Sequence, residues 1–371
     1  MKKWNQWATA AAVAAAIAGG AGLGTASAAS MRTVYVNDDG PTNAASKGSC
    51  AKPNYATIQA AVDDLTVKRV LVCAGTYTEF VKVERSLTLE AKPGATIRSP
   101  LVGVDEHNAI VAFNGPQRSR ISGFTISGAG SGIYAGIRTQ GYVPDEGEAG
   151  PTYVSVSKNS VTDIKVGIAI YKGEANVEDN TVERYRVMGI EADGGDRAGT
   201  FAQIDGNTVR GQGAGGESET QIGIRLDETD ADVEDNIISG NIGGGPDALG
   251  FGIVSEYANA SIRDNTLTDN QIGLWLSPGL RNIVRSNVIS RSVGNGIELT
   301  GTSAALIVEN GVSGSGGDGI HLNLGAHANT LRDNRIAGSG GTDLYDANGA
   351  PLVNAYSSNH CTTSNPAGLC H

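Results

Sequence analysis

The sequence has few aromatic residues, little charge and no basic runs. Charged residues are 18% of the chain, against a usual share of about 25%. Aromatic residues are only 5%, which excludes a core built mainly on aromatic rings. The hydrophobic share of 40% argues against intrinsic disorder. Because the net charge is −11 and Lys and Arg never cluster, a nucleic-acid partner is excluded, since binding phosphates needs a basic surface.

Long apolar runs are also missing. The longest apolar stretch, Ala8 to Ala18, is about half of the ~20 residues that a membrane span needs. Lys2 and Lys3 precede it, and Ala26-Ser27-Ala28 follows it as an A-x-A cleavage site. This order is typical of a secretory signal. We therefore expect a signal peptide over residues 1–28, no membrane span, and a protein secreted to the periplasm or to the extracellular space.

Cysteine is scarce and lies only near the two ends of the chain, at Cys50, Cys73, Cys361 and Cys370. An exported protein meets an oxidising compartment, so disulfides are expected, and four cysteines allow three connectivities. We expect the local pairs Cys50–Cys73 and Cys361–Cys370, which would each clip one terminus. A metal site is the alternative, but neither pair has CxxC spacing.

Glycine is abundant, with 52 residues, and the chain repeats itself. An Asn followed by a β-branched or apolar pair recurs every 21 to 29 residues, and a Gly followed by Ile or Leu lies between successive asparagines. The asparagines are Asn159, Asn180, Asn207, Asn236, Asn265, Asn287, Asn310 and Asn334. Such a period predicts a stack of similar structural units.

The segments after each glycine, such as GIEAD, GIRLD and GIHLN, alternate apolar and variable residues. This period of two is typical of β-strands. Each strand is too short to fold alone, so we expect successive coils to stack and bury a column of Ile, Val and Leu. Asn and Gly suit the corners because both tolerate left-handed backbone conformations, and stacked Asn side chains can bond from coil to coil. The prediction is an all-β fold, a parallel β-helix.

The repeats over residues 121–345 resemble the right-handed parallel β-helix proteins of the pectin-lyase-like superfamily. Upstream, residues 55–62, 70–72, 75–79 and 87–89 are similar to the entry segment of many exported members. Ile58, Ala61, Val62 and Leu65 would form one face of a helix that caps the first coil. The resemblance implies four segments: a signal peptide (1–28), an N-terminal cap with the first coils (29–120), the repeats (121–345) and a closing segment (346–371).

If the glycines are in register, the outward side chains form two columns along the helix. The first outward column is Ala169, Glu191, Arg225, Val254, Trp275, Glu298 and His321. The second is Tyr171, Asp193, Asp227, Glu256, Ser277, Thr300 and Asn323. Charged residues concentrate on three consecutive coils, so the sequence places a candidate site at their centre.

Stacked carboxylates with one Arg are groups that sugar chemistry or a Ca²⁺ site would use. The leading hypothesis is a protein that binds or acts on an extracellular polysaccharide. In its lyase form, Arg225 would abstract a proton while Asp193 and Asp227 hold Ca²⁺, the one candidate cofactor. Contacts to the substrate would come from Glu191, Glu256, Trp275 and Tyr171.

A different interpretation needs no chemistry. A solvated strand face carries polar residues anyway, and surface ion pairs contribute little. The alternative function is therefore a non-enzymatic binding or structural module, or a relative of periplasmic β-helix proteins that help load metal. The sequence leaves the choice, the polysaccharide and the oligomeric state open.

Enzyme signatures known from the superfamily are absent. The polygalacturonase-like set NTD, DD, GHG and RIK does not occur as a set, nor does the DPHD of alginate epimerases or the LGRPW of pectin methylesterases. Asp105-Glu106-His107 and the pair His321 and His327 are weak metal candidates. Two acidic, Gly-rich loops, residues 141–150 and 211–220, are expected to wall one side of the outward columns.

Overall fold

The computed structural model describes residues 32–40, 42–43, 47–100, 109–115, 117–128, 133–141, 152–195, 200–213, 219–245, 248–279, 281–349 and 353–371. Several expectations from the sequence lie outside these residues. They are the signal peptide (1–28), the Asp105-Glu106-His107 cluster, and residues 142–150 and 214–218 of the two acidic loops.

Each coil contributes strands to three parallel ladders. The first ladder forms a 13-stranded sheet. Its strands are Arg32–Val36, Val67–Val72, Thr88–Ala91, Arg118–Ser122, Tyr153–Ser157, Glu174–Glu178, Phe201–Asp205, Asp230–Glu234, Asn259–Arg263, Ile283–Arg285, Leu306–Val308, Thr330–Arg332 and Ala355–Ser357.

The second and third ladders join into one 21-stranded sheet, because two long strands, Ser160–Tyr171 and Thr181–Asp193, run through both. The other strands of the second ladder are Gly75–Thr78, Ala95–Arg98, Thr125–Ser127, Thr208–Arg210, Ile237–Ser239, Thr266–Thr268, Val288–Ser290, Gly311–Ser313 and Arg335–Ala337. Those of the third are Val81–Val83, Ala109–Asn114, Ala135–Gln140, Gln221–Asp227, Gly250–Glu256, Ile272–Leu276, Ile297–Leu299, Ile320–Leu322, Leu344–Asp346 and Ser364–Asn365.

The core is the column of apolar side chains inside the coils. Ile190, Ile224, Ile253 and Leu274 are consecutive register partners of the third ladder, and all four are fully buried. Because each coil adds the same kind of side chain at the same position, the buried surface grows with every repeat. The predicted all-β solenoid is confirmed.

The repeated asparagines line the corner between the first and second ladders, fully or almost fully buried. From Asn180 onward, each side-chain carbonyl accepts the backbone N–H of the asparagine one coil earlier, as Asn265 Oδ1 does from Asn236 at 3.0 Å. The chain of bonds extends beyond the eight predicted residues to Asn359. One expectation was wrong: the left-handed residue is the one before each Asn, such as Asp235 with φ 53° or Asp264 with φ 57°.

The repeated glycines are needed for space and not for a left-handed backbone. None of the repeat-marker glycines from Gly167 to Gly319 has a positive φ, which corrects the sequence interpretation. A Cβ on Gly252 would lie 2.4 Å from the carbonyl oxygen of Gly273, the equivalent glycine of the next coil. The column repeats because only glycine lets adjacent coils approach this closely.

A short helix, Ile58–Asp63, covers the first coil. Thr57 caps its start, and the Glu79 carboxylate accepts the N–H groups of Ile58 and Gln59 at 2.8 and 2.9 Å. The helix buries Ile58, Ala61 and Val62 as expected. Leu65 does not join them: the helix ends before it, and Leu65 is 77% exposed.

Disulfides close both ends of the described chain. Cys50 pairs with Cys73 and Cys361 with Cys370, with Cα–Cα distances of 5.7 and 5.2 Å. The local connectivity is therefore confirmed. The ladders run through the predicted segments without a break, and the boundaries at residues 120 and 345 stay predictions. No described helix is long and apolar enough to cross a membrane.

Candidate functional site

The outward face of the third ladder carries the predicted candidate site. Strand register aligns Ala169, Glu191, Arg225, Val254, Trp275, Glu298 and His321 one after another, as the sequence predicts. Tyr345 continues the column on the next coil. Neighbouring members are about 4.8 Å apart along the helix axis. The column thus forms a continuous track along the helix, and its side chain differs from one coil to the next.

Three members of this column are buried, namely Glu191 and two apolar residues. Ala169 and Val254 are buried on the outer side of the sheet, each within a small apolar cluster outside the main core. Met188 borders both clusters. The track is therefore made of polar regions separated by packed apolar side chains, which alternation along the strands alone does not reveal.

Arg225 is the centre of the first polar region. Its guanidinium contacts three carboxylates: Asp227 at 2.6 Å, Glu256 at 3.3 Å and Glu191 at 3.4 Å. Burial alone would lower the pKa of Arg225, but these carboxylates outweigh burial and raise it. Arg225 could accept a proton from a substrate only after losing its own. The three carboxylates oppose that loss, so they favour Arg225 as a fixed cation over its predicted role as a base.

Glu191 lies beneath the surface at 3% exposure, so in this conformation its carboxylate is covered. The hydroxyls of Tyr171 and Tyr134 donate to its Oε2 at 2.6 and 2.9 Å. Burial and the Glu191 charge raise the pKa of Tyr134 to about 12, and the same two causes raise that of Tyr171. Sequence analysis missed Tyr134, which precedes its strand and belongs to neither outward column.

Asp193 and Asp227 are register partners, as predicted. Asp193 Oδ1 accepts the N–H of Gly195 at 2.8 Å, and Asp227 Oδ2 is bound to Arg225. Burial raises the pKa of Asp227, Arg225 opposes this, and the charges of Glu256 and Asp193 add to the rise. Ca²⁺ takes six to eight oxygen ligands, and these two side chains supply only part of such a set. Their binding of Ca²⁺ stays a prediction.

Trp275 begins a groove of about 680 Å³ on the C-terminal side of Arg225. Phe251 stacks on the indole, with ring centroids 5.3 Å apart, and the indole Nε1 donates to Thr300 Oγ1 at 3.0 Å. These two contacts fix the orientation of the ring. Leu249 and Leu324 stand at the rim of this groove, so residues outside the predicted wall loops shape its edge.

A hydrogen-bonded network covers the floor of the groove. His321 Nδ1 lies 2.6 Å from Asp318 Oδ2, and its Nε2 lies 3.1 Å from Asn323 Oδ1. The Asn323 amide donates to Glu298 Oε1 at 2.8 Å, and the His321 ring stacks on Tyr345. Because a carboxylate only accepts, the Asn323 amide nitrogen must face Glu298, which leaves its oxygen for His321. This network holds the floor in one arrangement.

Sequence analysis identified Glu298, His321 and Asn323 as members of the outward columns but assigned them no role. Their common register was the available signal, since side chains one coil apart are neighbours. Asp318 gave none, because it lies in neither column and meets His321 only through the folded backbone. The structure thus places a second polar region three to four coils from Arg225 along the same track.

Two family models match parts of the chain. One, described as "Right handed beta helix region", matches residues 189–365. The other, described as "Periplasmic copper-binding protein (NosD)", matches residues 67–249. No curated protein matches the chain by sequence.

The described residues do not fit a copper site. Copper prefers imidazole and sulfur ligands. The four cysteines are in disulfides, and no described group of three or more His, Cys, Asp or Glu side chains is placed to hold a metal ion. His321 is bound to Asp318, and His327 faces the carbonyl of Gly325 instead of His321.

Solved structures share the architecture. The periplasmic alginate epimerase AlgG is 14% identical over 81% of this chain and 73% of its own, with a TM-score of 0.62. The A-module of the mannuronan C-5 epimerase AlgE4 of Azotobacter vinelandii is 14% identical over 82% of this chain and 94% of its own, with a TM-score of 0.52. Identities this low show the fold alone. The chain is a right-handed parallel β-helix repeat protein with the pectin-lyase-like fold.

Proposed function

We propose that this is an exported protein, periplasmic or extracellular, that binds or acts on a polysaccharide along the outward face of the third ladder. Support for export comes from the predicted signal sequence and from the periplasmic family description. Support for a polysaccharide comes from the two structural neighbours, which are named as alginate and mannuronan epimerases.

One observation carries the proposal: Trp275 lies in an open groove, and in register it stands between two polar regions of a single track. Ligand sites are usually concave, and a flat strand face would have favoured a scaffold. An oriented indole presents an apolar surface on which the C–H face of a sugar ring can stack. Polar side chains at regular spacing on both sides suit a ligand that is itself a chain of repeating units.

The finer hypothesis from the sequence is a polyuronate lyase. It needs Arg225 to lose its proton and Ca²⁺ to enter beside Asp193 and Asp227. The three carboxylates around Arg225 oppose the first step, and Arg225 must leave Asp227 before both Asp227 oxygens can bind Ca²⁺. A lyase would therefore need a larger rearrangement of these side chains than polysaccharide binding alone.

The first test is incubation of the exported chain with polyuronates and neutral glycans, with Ca²⁺ or with a chelator. Ultraviolet absorbance reports unsaturated lyase products, a reducing-end assay reports hydrolysis, and calorimetry reports binding without turnover. Calcium-dependent unsaturated product that is lost in Arg225→Ala would establish the lyase. No turnover and no binding across the panel would refute the polysaccharide proposal.

Trp275→Ala tests the groove itself. We expect about tenfold weaker glycan binding, because the stacking surface is removed. Phe201→Ala is the matched control. Phe201 is an exposed aromatic residue on the first ladder, whereas the track lies on the third ladder. Equal binding by the two variants would place the ligand elsewhere.

A further inference from the structure

The charge along the track is one-sided. From Glu191 to Tyr345, five carboxylates of the described residues lie on the two outward columns, and a sixth, Asp318, contacts His321. The basic side chains on this stretch of the columns are Arg225 and His321, whereas Arg138 lies one coil before Ala169. The carboxylates are Glu191, Asp193, Asp227, Glu256, Glu298 and Asp318. Arg225 already contacts three of them, so its charge is taken up within the protein.

The groove itself offers no free positive charge. No Lys or Arg is among the described residues that line it. His321 has both ring nitrogens engaged, by Asp318 and by Asn323. The two oxygens of Glu298 accept the amides of Asn323 and Asn295 at 2.8 and 2.9 Å, which leaves the carboxylate charge in place at the floor.

An anionic sugar would meet like charges in this groove. Its carboxylate would lose water beside Glu298 and Asp318 and gain no cation in return, which is unfavourable. A sugar without negative charge meets the opposite situation. Its apolar face can stack on Trp275, and its hydroxyl or amino groups can donate to the free lone pairs of Glu298.

We propose that the groove from Trp275 to Tyr345 is a subsite for sugar residues that carry no negative charge. This rests on the proposed function and specifies the class of polysaccharide. Glu298 is the residue that sets the selectivity, since its carboxylate faces the groove beside the Trp275 platform. His321 also lines the groove, and its ring nitrogens contact Asp318 and Asn323.

The experiment uses ligands that share a backbone and differ in charge. Cello-oligosaccharides, the same chains oxidised to carboxylate at C6, and glucosamine oligomers are all β-1,4-linked and are neutral, anionic and cationic. A second pair is oligogalacturonate and its full methyl ester. Binding to the full exported chain is measured by calorimetry, with chelator and again with Ca²⁺.

In any ligand set that binds, we expect the neutral or amino sugar chain to have at least a tenfold lower Kd than its anionic counterpart. Tighter binding of the anionic member, with or without Ca²⁺, would overturn the inference and leave the polysaccharide proposal standing. If no glycan of any charge binds, the polysaccharide proposal itself fails, and the subsite fails with it.

Two variants test whether the charge of Glu298 causes the discrimination. Glu298→Gln removes the charge and keeps the shape and one acceptor, so we expect the discrimination against the anionic chain to fall at least threefold. Glu309→Gln is the matched control, because Glu309 pairs with Arg285 on another side of the helix. The discrimination should be unchanged in Glu309→Gln, and an equal change in both variants would remove Glu298 from its role.

Discussion

The asparagine corner and the outward track differ in what repeats from coil to coil. At the corner the residue itself repeats, from Asn159 to Asn359, and each copy makes the same bonds to the next. On the track only the register repeats, while the side chain changes from Glu191 to Arg225 to Trp275. In a solenoid, a constant residue therefore points to a structural role and a varying residue in constant register points to a binding surface.

The comparison predicts the largest loss of unfolding free energy for a substitution at the asparagine corner. Asn236→Ala leaves the Asn207 N–H and the Ile204 carbonyl without their bonds, which are 2.9 Å long in the structure. We expect a loss of about 3 kcal/mol in unfolding free energy, since both groups stay buried. Chemical denaturation followed by circular dichroism measures it.

Asn259→Ala is the matched control for that variant. Asn259 is exposed, and among the described residues its side chain bonds only to Asp230, whereas its backbone bond does not depend on the side chain. Its loss should change stability by less than about 0.5 kcal/mol. Similar losses in both variants would contradict a special role for the buried corner.

The glycine column gives the next largest effect. In Gly252→Ala the new Cβ meets the Gly273 carbonyl oxygen at 2.4 Å, so adjacent coils must move apart, at about 2 kcal/mol. Gly311→Ala is the control, because nothing lies within 4 Å of a Cβ there. The denaturation midpoint should fall for the first variant and hold or rise slightly for the second. An unchanged midpoint in Gly252→Ala would refute close approach as the reason for the column.

The smallest effect on neutral-pH stability is expected on the track. Glu191→Gln keeps an acceptor for Tyr134 and Tyr171 and removes a charge, so the midpoint at pH 7 should move less than in the two variants above. The pKa of Tyr134 should fall from about 12, because Glu191 helps to raise it. Titration of tyrosine absorbance near 295 nm measures this shift.

The same tyrosine predicts how stability depends on pH. Its folded pKa is raised above the unfolded value of about 10, so the stability it contributes is fully present below pH 10 and is lost as the pH rises toward 12. Glu191→Gln should narrow the pH range over which this stability is lost, and Glu309→Gln should leave that range unchanged. Identical tyrosine titrations in all three proteins would contradict the Glu191 contact.

Much of the fold follows from spacing in the sequence. The recurring Asn and Gly-Ile markers determine which residues are register partners, because a one-residue slip would turn every core side chain outward. That logic placed Glu191, Arg225, Trp275 and His321 in one column and Asp193 beside Asp227. The local disulfides followed from the clustering of the cysteines near the chain ends.

Only the tertiary structure decided which members of the column meet solvent and what they contact. Val254 is covered by packing outside the core, and Glu191 is covered by Tyr134 from a segment with no repeat signal. Asp318 reaches His321 only through the folded backbone. The physical reason is that register is set by backbone pairing, which repeats along the chain, whereas exposure and side-chain bonds depend on neighbours that differ in every coil.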